Sequence, residues 1–218
     1  MRPIVKTIDS ITDDDNGIAE SQSLGGAGSL TLDGALVSGG VATIGEAQQV
    51  VVTSAGDDSG IDWTVTGTDA DGNPYTETFD GANAGAATST GHFKTVTNIS
   101  ADGATAGNVT AGVDEANGAV SQTIRVNSDQ SSSFKLSLSV EYISATATCT
   151  VQHSPDWPES GDFIADGYSN NANWYSTDGL SAITATNEGN IAFSEQCVRL
   201  NITSYTSGSV KLTVGQNY

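Results

Sequence analysis

The feature that most constrains the fold is a hairpin pattern in the first half of the chain. Ile61, Trp63 and Val65 share one face of a strand, and the residues between them are polar. The segment 69–74 reads Asp-Ala-Asp-Gly-Asn-Pro, and a second short strand is predicted at 75–79. Asp, Asn, Gly and Pro favour the backbone angles of turns. The pattern therefore predicts two antiparallel strands joined by a tight turn.

The same alternation recurs along the chain, and no segment shows convincing helical spacing of apolar residues. The predicted strands are 30–37, 48–53, 61–68, 75–79, 92–99, 108–113, 134–142, 147–151, 191–193, 198–202 and 210–214. Hydrophobic residues make up 37% of the chain, enough for packed cores, so the pattern excludes global disorder. The sequence predicts an all-β fold with two β-sandwich domains, the second jelly-roll-like, preceded by an extended N-terminal arm.

Glycine-rich and acidic segments suggest the domain boundaries. Residues 1–29 are predicted to form the arm, which either frays or orders on a neighbouring subunit. The first sandwich is predicted at 30–113, a linker at 114–118, and the second sandwich at 119–218. Charge supports this division, because 17 acidic residues precede position 119 and 9 follow it.

The formal net charge is -19, from 26 acidic and 7 basic residues. Such a field repels phosphate backbones and anionic lipids, so we expect no nucleic-acid or membrane-surface partner. It favours solubility or a cationic partner. The sequence shows neither the apolar core of a secretory signal nor a membrane-spanning stretch. We therefore expect a protein made in the cytoplasm that stays there or leaves inside a larger particle.

The two cysteines are predicted to lie on opposite faces of their strands. Cys149 alternates with Ala147 and Val151 on an apolar face, whereas Cys197 lies opposite the apolar face of 198–202. Side chains that point to opposite faces cannot form a disulfide without a bulge. We expect free thiols.

The sequence predicts no catalytic site and no cofactor. Cys149 and His153 lie four residues apart on one strand, about 13 Å at the usual rise, too far for a hydrogen bond. His92 is the other histidine. Carboxylates are so frequent that pairs of them carry little information. We expect a protein that is not an enzyme.

A metal site is also not expected at the hairpin. Asp69, Asp71 and Asn73 have the spacing of a calcium loop, which requires oxygens at alternate positions. Pro74 occupies the position at which an EF-hand loop has glycine, and predicted strands flank the segment. We interpret these side chains as turn-forming residues.

A long segment without alternation, 154–179, offers the best candidate binding surface. Tryptophan and tyrosine stack on sugar rings or anchor protein interfaces, although such rings also cap the end of a sandwich core. The candidate interface or glycan contacts are Trp157, Phe163, Tyr168, Trp174 and Tyr175.

Several segments of the sequence resemble virion-associated structural proteins of tailed bacteriophages. They lie at 67–79, 91–99, 104–112, 149–153, 174–175, 189–193, 198–202 and 210–214. The resemblance spans nearly the whole chain and carries no catalytic motif. It implies a virion location after assembly in the host cytoplasm, with other virion proteins as partners and a homo-oligomeric state.

The function expected from this resemblance is structural and non-enzymatic. The first expectation is a protein that decorates and cements the capsid exterior through contacts with the major capsid protein. A tail-associated adaptor or fibre-base protein is the alternative. A carbohydrate-binding module that uses the 154–179 loop is a second alternative.

Overall fold

The computed structural model describes residues 3–126, 135–156, 168–193 and 195–216. Among these residues, antiparallel strands dominate and helix is limited to a 3-10 turn at Glu115–Asn117 and one turn at Tyr168–Asn171. The prediction of an all-β fold is confirmed. No helix of the described segments is long and apolar enough to cross a membrane. The strands are β1 (Ile4–Ile8), β2 (Asp14–Gln22), β3 (Gly28–Ser29), β4 (Val37–Ser38), β5 (Val41–Ser54), β6 (Asp62–Thr68), β7 (Pro74–Asp80), β8 (Ala86–Ala101), β9 (Val109–Val113), β10 (Ala119–Val120), β11 (Ile124–Arg125), β12 (Leu136–Ser154), β13 (Tyr175–Ser176), β14 (Asn187–Ile191) and β15 (Cys197–Gln216).

Two large hydrophobic clusters form the interior. The first is built from residues 18–113 around the fully buried rings of Trp63 and Phe93. The second joins Ile8 and Ile11 to apolar side chains between positions 119 and 214. The strongest pairing in the second half is between β12 and β15, which run antiparallel with two bulged positions near the middle and one further along. The alternation read from the sequence directs apolar side chains of the longer strands into these clusters.

The N-terminal segment does not form a separate arm. Strand β1 pairs antiparallel with the end of β15, from Ile4 opposite Val214 to Ile8 opposite Val210. Strand β2 then pairs with β9 in the first half of the chain. The expectation of an extended arm over residues 1–29 is therefore corrected. Residues 4–8 pair with a strand about 200 positions away, and a local sequence pattern does not show which distant strand a segment pairs with.

The predicted strand at 30–37 is also wrong. Residues 30–36 form no strand, although Leu30 is buried against the first cluster. The side-chain amide of Gln22 makes the two hydrogen bonds that a neighbouring strand would make to Thr31. It accepts a hydrogen bond from the Thr31 amide at 2.8 Å and donates one to the Thr31 carbonyl at 2.9 Å. The leucines of this segment still pack against the first cluster, and backbone bonds from Leu30 to Ile99 and from Leu36 to Gly17 also hold the segment.

The predicted linker holds the 3-10 turn Glu115–Asn117. Its N-cap, Asp114, accepts a hydrogen bond from the amide of Ala116 at 2.8 Å. Gly118 follows with a φ of 72°, and a β-carbon there would lie 1.9 Å from the carbonyl oxygen of Ile202. Only glycine fits this position, because both the backbone angle and the close approach exclude a side chain.

The two clusters meet at a small apolar contact. Ala47, Ala70 and Val120 pack together with at most 2% of each residue exposed. Strand β10 joins the two halves, because Val120 pairs with Ala47 of β5 while Ala119 pairs with Ile202 of β15. Ala70 belongs to the turn of the central hairpin, so this turn is part of the junction.

The carboxylate of Asp69 is the main polar element of the junction. Its Oδ1 accepts the amides of Asp71 and Asn73, each at 2.9 Å, which closes the hairpin turn. Its Oδ2 accepts the amide of Ser169 at 2.8 Å, a residue 100 positions away. Asp69 is fully buried. One side chain therefore both shapes the turn and binds it to the second half of the chain.

Asp71 adds a second polar connection. Its carboxylate accepts the amide of Thr123 at 2.7 Å and the hydroxyl of Thr123 at 2.5 Å. Burial raises the pKa of Asp71, and the two bonds from Thr123 oppose that shift. The two carboxylates that resembled calcium ligands, Asp69 and Asp71, thus accept protein donors. The described residues contain no group of three His, Cys, Asp or Glu side chains arranged to hold a metal ion.

Replacing Asp69 by alanine is expected to destabilise the protein strongly. Three amide donors lose their acceptor, and each buried unpaired donor costs about 1–3 kcal/mol. We expect the free energy of unfolding, measured by urea denaturation at neutral pH, to fall by about 3 kcal/mol or more. Asp80→Ala is the matched control, because Asp80 is an exposed acid at the end of β7. Equal losses in the two variants would contradict the role assigned to Asp69.

His92 makes a third contact across the junction. Its amide donates to Oδ1 of Asn170 at 2.9 Å, and its carbonyl accepts from Nδ2 of Asn170 at 3.0 Å. Burial, followed by the positive charge of Arg199, lowers the pKa of the His92 imidazole to about 4. The ring is therefore neutral in the folded protein through most of the acidic range.

This shift predicts a loss of stability in mild acid. Between about pH 6.5 and 4 the unfolded chain binds a proton at His92 and the folded chain does not, so stability is complete above this range and falls as the pH drops through it. The full loss is at most about 3 kcal/mol, because His92 keeps part of its surface in water. Urea midpoints measured against pH should fall less steeply for His92→Gln. Identical slopes would refute the assignment.

Candidate functional site

The structure describes only part of the predicted aromatic surface. Trp157 and Phe163 lie outside the described residues, and Tyr168 begins the one-turn helix with a side chain that is also outside the description. Trp174 and Tyr175 are described and differ from each other. Trp174 packs against Ala172 and Cys197, whereas Tyr175 is 54% exposed.

Trp174 is held in place by a buried arginine. The guanidinium carbon of Arg199 lies 4.0 Å from the centre of the Trp174 ring. Its Nη1 donates to the carbonyl and hydroxyl of Ser169 at 2.5 and 3.1 Å, and its Nε donates to Gln152 at 2.8 Å. The indole Nε1 donates to the same Ser169 carbonyl at 2.9 Å. The tryptophan thus supports the local structure, in agreement with the core-capping alternative.

The two cysteines lie on opposite sides of the β12–β15 layer. Cys149 belongs to the second large cluster and Cys197 packs with Ala172 and Trp174. Both are buried, and they form no disulfide with each other. The hydroxyl of Tyr142 donates to the Cys149 sulfur at 3.0 Å, and burial raises the pKa of this thiol. These are the properties of packing residues and not of nucleophiles.

A groove of about 600 Å³ opens beside Tyr175 at the end of the second cluster. Residues 176–178 line one side, residues 188–193 line the other, and His153 lies between them. Strand pairing fixes this arrangement, because His153 of β12 lies opposite Tyr175 of β13. The amide of Thr177 also donates to the carbonyl of Val151 at 2.9 Å. The groove walls are therefore attached to the main sheet.

Two exposed aromatic rings contact the histidine of the groove. Tyr175 stacks on His153 with ring centres 6.1 Å apart, and Phe193 meets it edge-on at 5.5 Å. Phe193 is 56% exposed. The predicted strand at 191–193 would place Phe193 on the same face as Ile191, which the structure buries. Strand β14 ends at Ile191, so the strand period no longer sets the direction of the phenylalanine.

Polar contacts surround the His153 ring. Its Nδ1 lies 3.0 Å from the hydroxyl of Thr177, and its Nε2 lies 3.8 Å from Oε1 of Glu195. Burial lowers the pKa of His153, and the charge of Asp178 opposes that shift. Burial also raises the pKa of Glu195, with a further contribution from Asp156. Both shifts favour uncharged side chains, in agreement with a separation too long for a hydrogen bond.

The order carboxylate, imidazole and hydroxyl is that of a nucleophilic triad. Two observations favour a structural role for Thr177, His153 and Glu195. The carboxylate is too far from the imidazole to orient it, and Thr177 has only 2% of its surface exposed. Oε2 of Glu195 is buried without a hydrogen-bond partner in the described part of the chain. The arrangement offers a shaped surface and not an activated nucleophile.

The groove is acidic. Asp178 and Glu188 line it with exposed side chains, and no lysine or arginine is among the described lining residues. The sequence alone does not single out these carboxylates, because acids are frequent throughout the chain. What distinguishes these two carboxylates is their position beside exposed rings. This position is visible only in the fold, which brings residues 153, 178, 188 and 193 together.

No family model matches the chain, and no curated protein matches it. Among solved structures, the chain is similar to the crystal structure of allantoicase from Saccharomyces cerevisiae. The TM-score is 0.25 and the identity 14%, with 82% of this chain and 76% of that chain covered. At this score the likeness supports no argument about activity.

The comparisons correct the expected function. None of them finds a phage particle protein. The expectation of a capsid-decorating protein is therefore corrected, together with the tail-adaptor and carbohydrate-module alternatives stated with it. The site must be interpreted from its own geometry.

Arg199→Lys is expected to loosen the segment that carries Tyr175. Lysine cannot reproduce the guanidinium fork or its stacking on Trp174, so the bonds to Ser169 and Gln152 are lost in part. We expect a fall of about 1–3 kcal/mol in the free energy of unfolding by urea denaturation. Lys211→Arg is the control, since Lys211 pairs with Glu141 at the surface, where ion pairs contribute little. Equal falls in the free energy of unfolding of the two variants would contradict the role of Arg199 in holding this segment.

Proposed function

We propose that the protein is a binding protein that holds a group of its ligand in the groove beside His153 without reacting with it. The observation that carries this proposal is the position of the exposed rings. Among the large hydrophobic side chains described as exposed, Tyr175 and Phe193 have the highest exposure, and both contact the same histidine. Exposed rings at one place mark binding surfaces more often than isolated apolar residues do.

Binding at such a surface has a clear source of free energy. Burying a large apolar side chain contributes about 1.5–3 kcal/mol, and aromatic rings lose little conformational entropy when they become ordered. Tyr175 and Phe193 already contact His153, so their side chains are partly ordered before a ligand binds. The rings therefore suit the role of anchor residues.

The polar part of the groove is also formed in advance. Thr177 donates its amide to Val151, and the amide of Leu180 donates to the carbonyl of Thr177 at 3.0 Å. On the other wall, β14 pairs with β12 from Asn187 to Ile191. A ligand that enters such a groove does not have to order the backbone, which preserves affinity.

The double variant Tyr175→Ser, Phe193→Ser is expected to lose ligand binding while keeping its thermal stability. The test is ligand-observed NMR on the full chain with a mixture of small compounds: arginine and lysine amides, a glutamate amide, glucose and benzyl alcohol. At least one compound should bind the natural protein, and its signal should weaken about tenfold or more with the double variant, since each ring contributes part of the contact.

Ile143→Ser is the matched control, because Ile143 is exposed to a similar degree and does not line the groove. The control should bind as the natural protein does. Absence of any binding to the natural protein would contradict the proposal. So would binding that is equally strong in the double variant.

A further inference from the structure

We infer that the group held in the groove is the cationic side chain of a lysine or arginine on a basic partner polypeptide. This inference rests on the proposed function and names its ligand. Lysine and arginine side chains combine an apolar stem with a charged end. The groove offers matching surfaces, because Phe193, Asp178 and Glu188 line it. The ring of Tyr175 lies beside the groove, stacked on the lining residue His153.

The charge of the groove favours a cation over a neutral or anionic group. Asp178 and Glu188 are exposed and take part in no ion pair among the described residues. A ligand cation therefore does not have to displace a resident lysine or arginine. Asp178 lines the groove together with His153, and its negative charge opposes the lowering of the His153 pKa by burial. An anion placed here would meet repulsion from both walls.

The aromatic rings contribute to the same selectivity. A cation within about 6 Å of a ring face gains about 0.5–1 kcal/mol at an exposed site. Tyr175 and Phe193 are each more than half exposed, so part of each side chain remains accessible to a ligand. A bare metal ion would gain nothing from the apolar surface. The rings therefore favour an organic cation with a stem.

His153 does not oppose this charge at neutral pH. The titratable and charged groups around its ring are Asp178 and Glu195, with Asp156 beyond Glu195, and Tyr175 stacks on it. Burial lowers the pKa of His153, which keeps the imidazole uncharged above the acidic range. A neutral imidazole leaves the field of the carboxylates in the groove undiminished.

The whole chain supports a polypeptide partner over a free amine. A net charge of -19 generates a long-range field that attracts a basic protein and speeds its encounter at low salt. The groove of about 600 Å³ is larger than one side chain requires and can take the neighbouring backbone as well.

The test is NMR titration of the full chain with three short peptides that differ at one central residue: arginine, lysine or citrulline, the neutral analogue of arginine. Free agmatine serves as the amine without a peptide. The arginine and lysine peptides should bind about tenfold more tightly than the citrulline peptide, and more tightly than agmatine. The double variant Asp178→Asn, Glu188→Gln should weaken the arginine peptide about tenfold, whereas Asp80→Asn, an exposed acid outside the groove, should change nothing.

The outcomes separate this inference from the proposed function. If citrulline binds as tightly as arginine and binding still depends on Tyr175, the groove is a binding site and the cation inference is overturned. The cation inference also fails if arginine binding is unaffected by the change at Asp178 and Glu188. Tighter binding of agmatine than of the peptides would overturn the polypeptide partner. If nothing binds in a manner that depends on Tyr175 and Phe193, both proposals fail.

Discussion

The buried carboxylate of Asp69 is the interaction on which the rest of the arrangement depends. It closes its own hairpin turn and accepts the amide of Ser169. Ser169 in turn receives the guanidinium of Arg199 and the indole of Trp174. Tyr175 follows directly in the chain and pairs opposite His153. A turn in the first half of the protein is thereby connected, through side chains, to one wall of a groove in the second half.

A buried carboxylate is costly unless each oxygen is paired, and Asp69 avoids that cost by accepting backbone donors at both oxygens. Two of these donors are local and one is distant. The local pair orients the carboxylate from within its own turn, so the contact with Ser169 has less side-chain entropy left to remove. The small contact among Ala47, Ala70 and Val120 supplies little apolar area, which leaves specificity at the junction to hydrogen bonds.

The sequence predicted local properties well and distant contacts poorly. Alternation identified the hairpin at β6 and β7 and the opposite directions of Cys149 and Cys197, because a strand period fixes the face of each side chain. It could not show that Ile4–Ile8 pairs with residues 210–214, since any apolar strand satisfies the same pattern. Alternation assigns Phe193 to the core because the pattern does not show where a strand ends. The groove is equally hidden from a local pattern, as its walls come from distant segments.

The position of the groove at the end of a sheet has a physical consequence for its chemistry. Next to β13, the polar groups of Thr177 are used by neighbours, because its amide donates to the carbonyl of Val151 and its hydroxyl lies 3.0 Å from Nδ1 of His153. At the end, Phe193 lies beyond the last residue of β14 and stays exposed despite its hydrophobicity. Leaving two rings in water forgoes stabilisation that burial would supply. A partner whose side chain covers both rings recovers that free energy on binding, which connects the exposed rings to recognition.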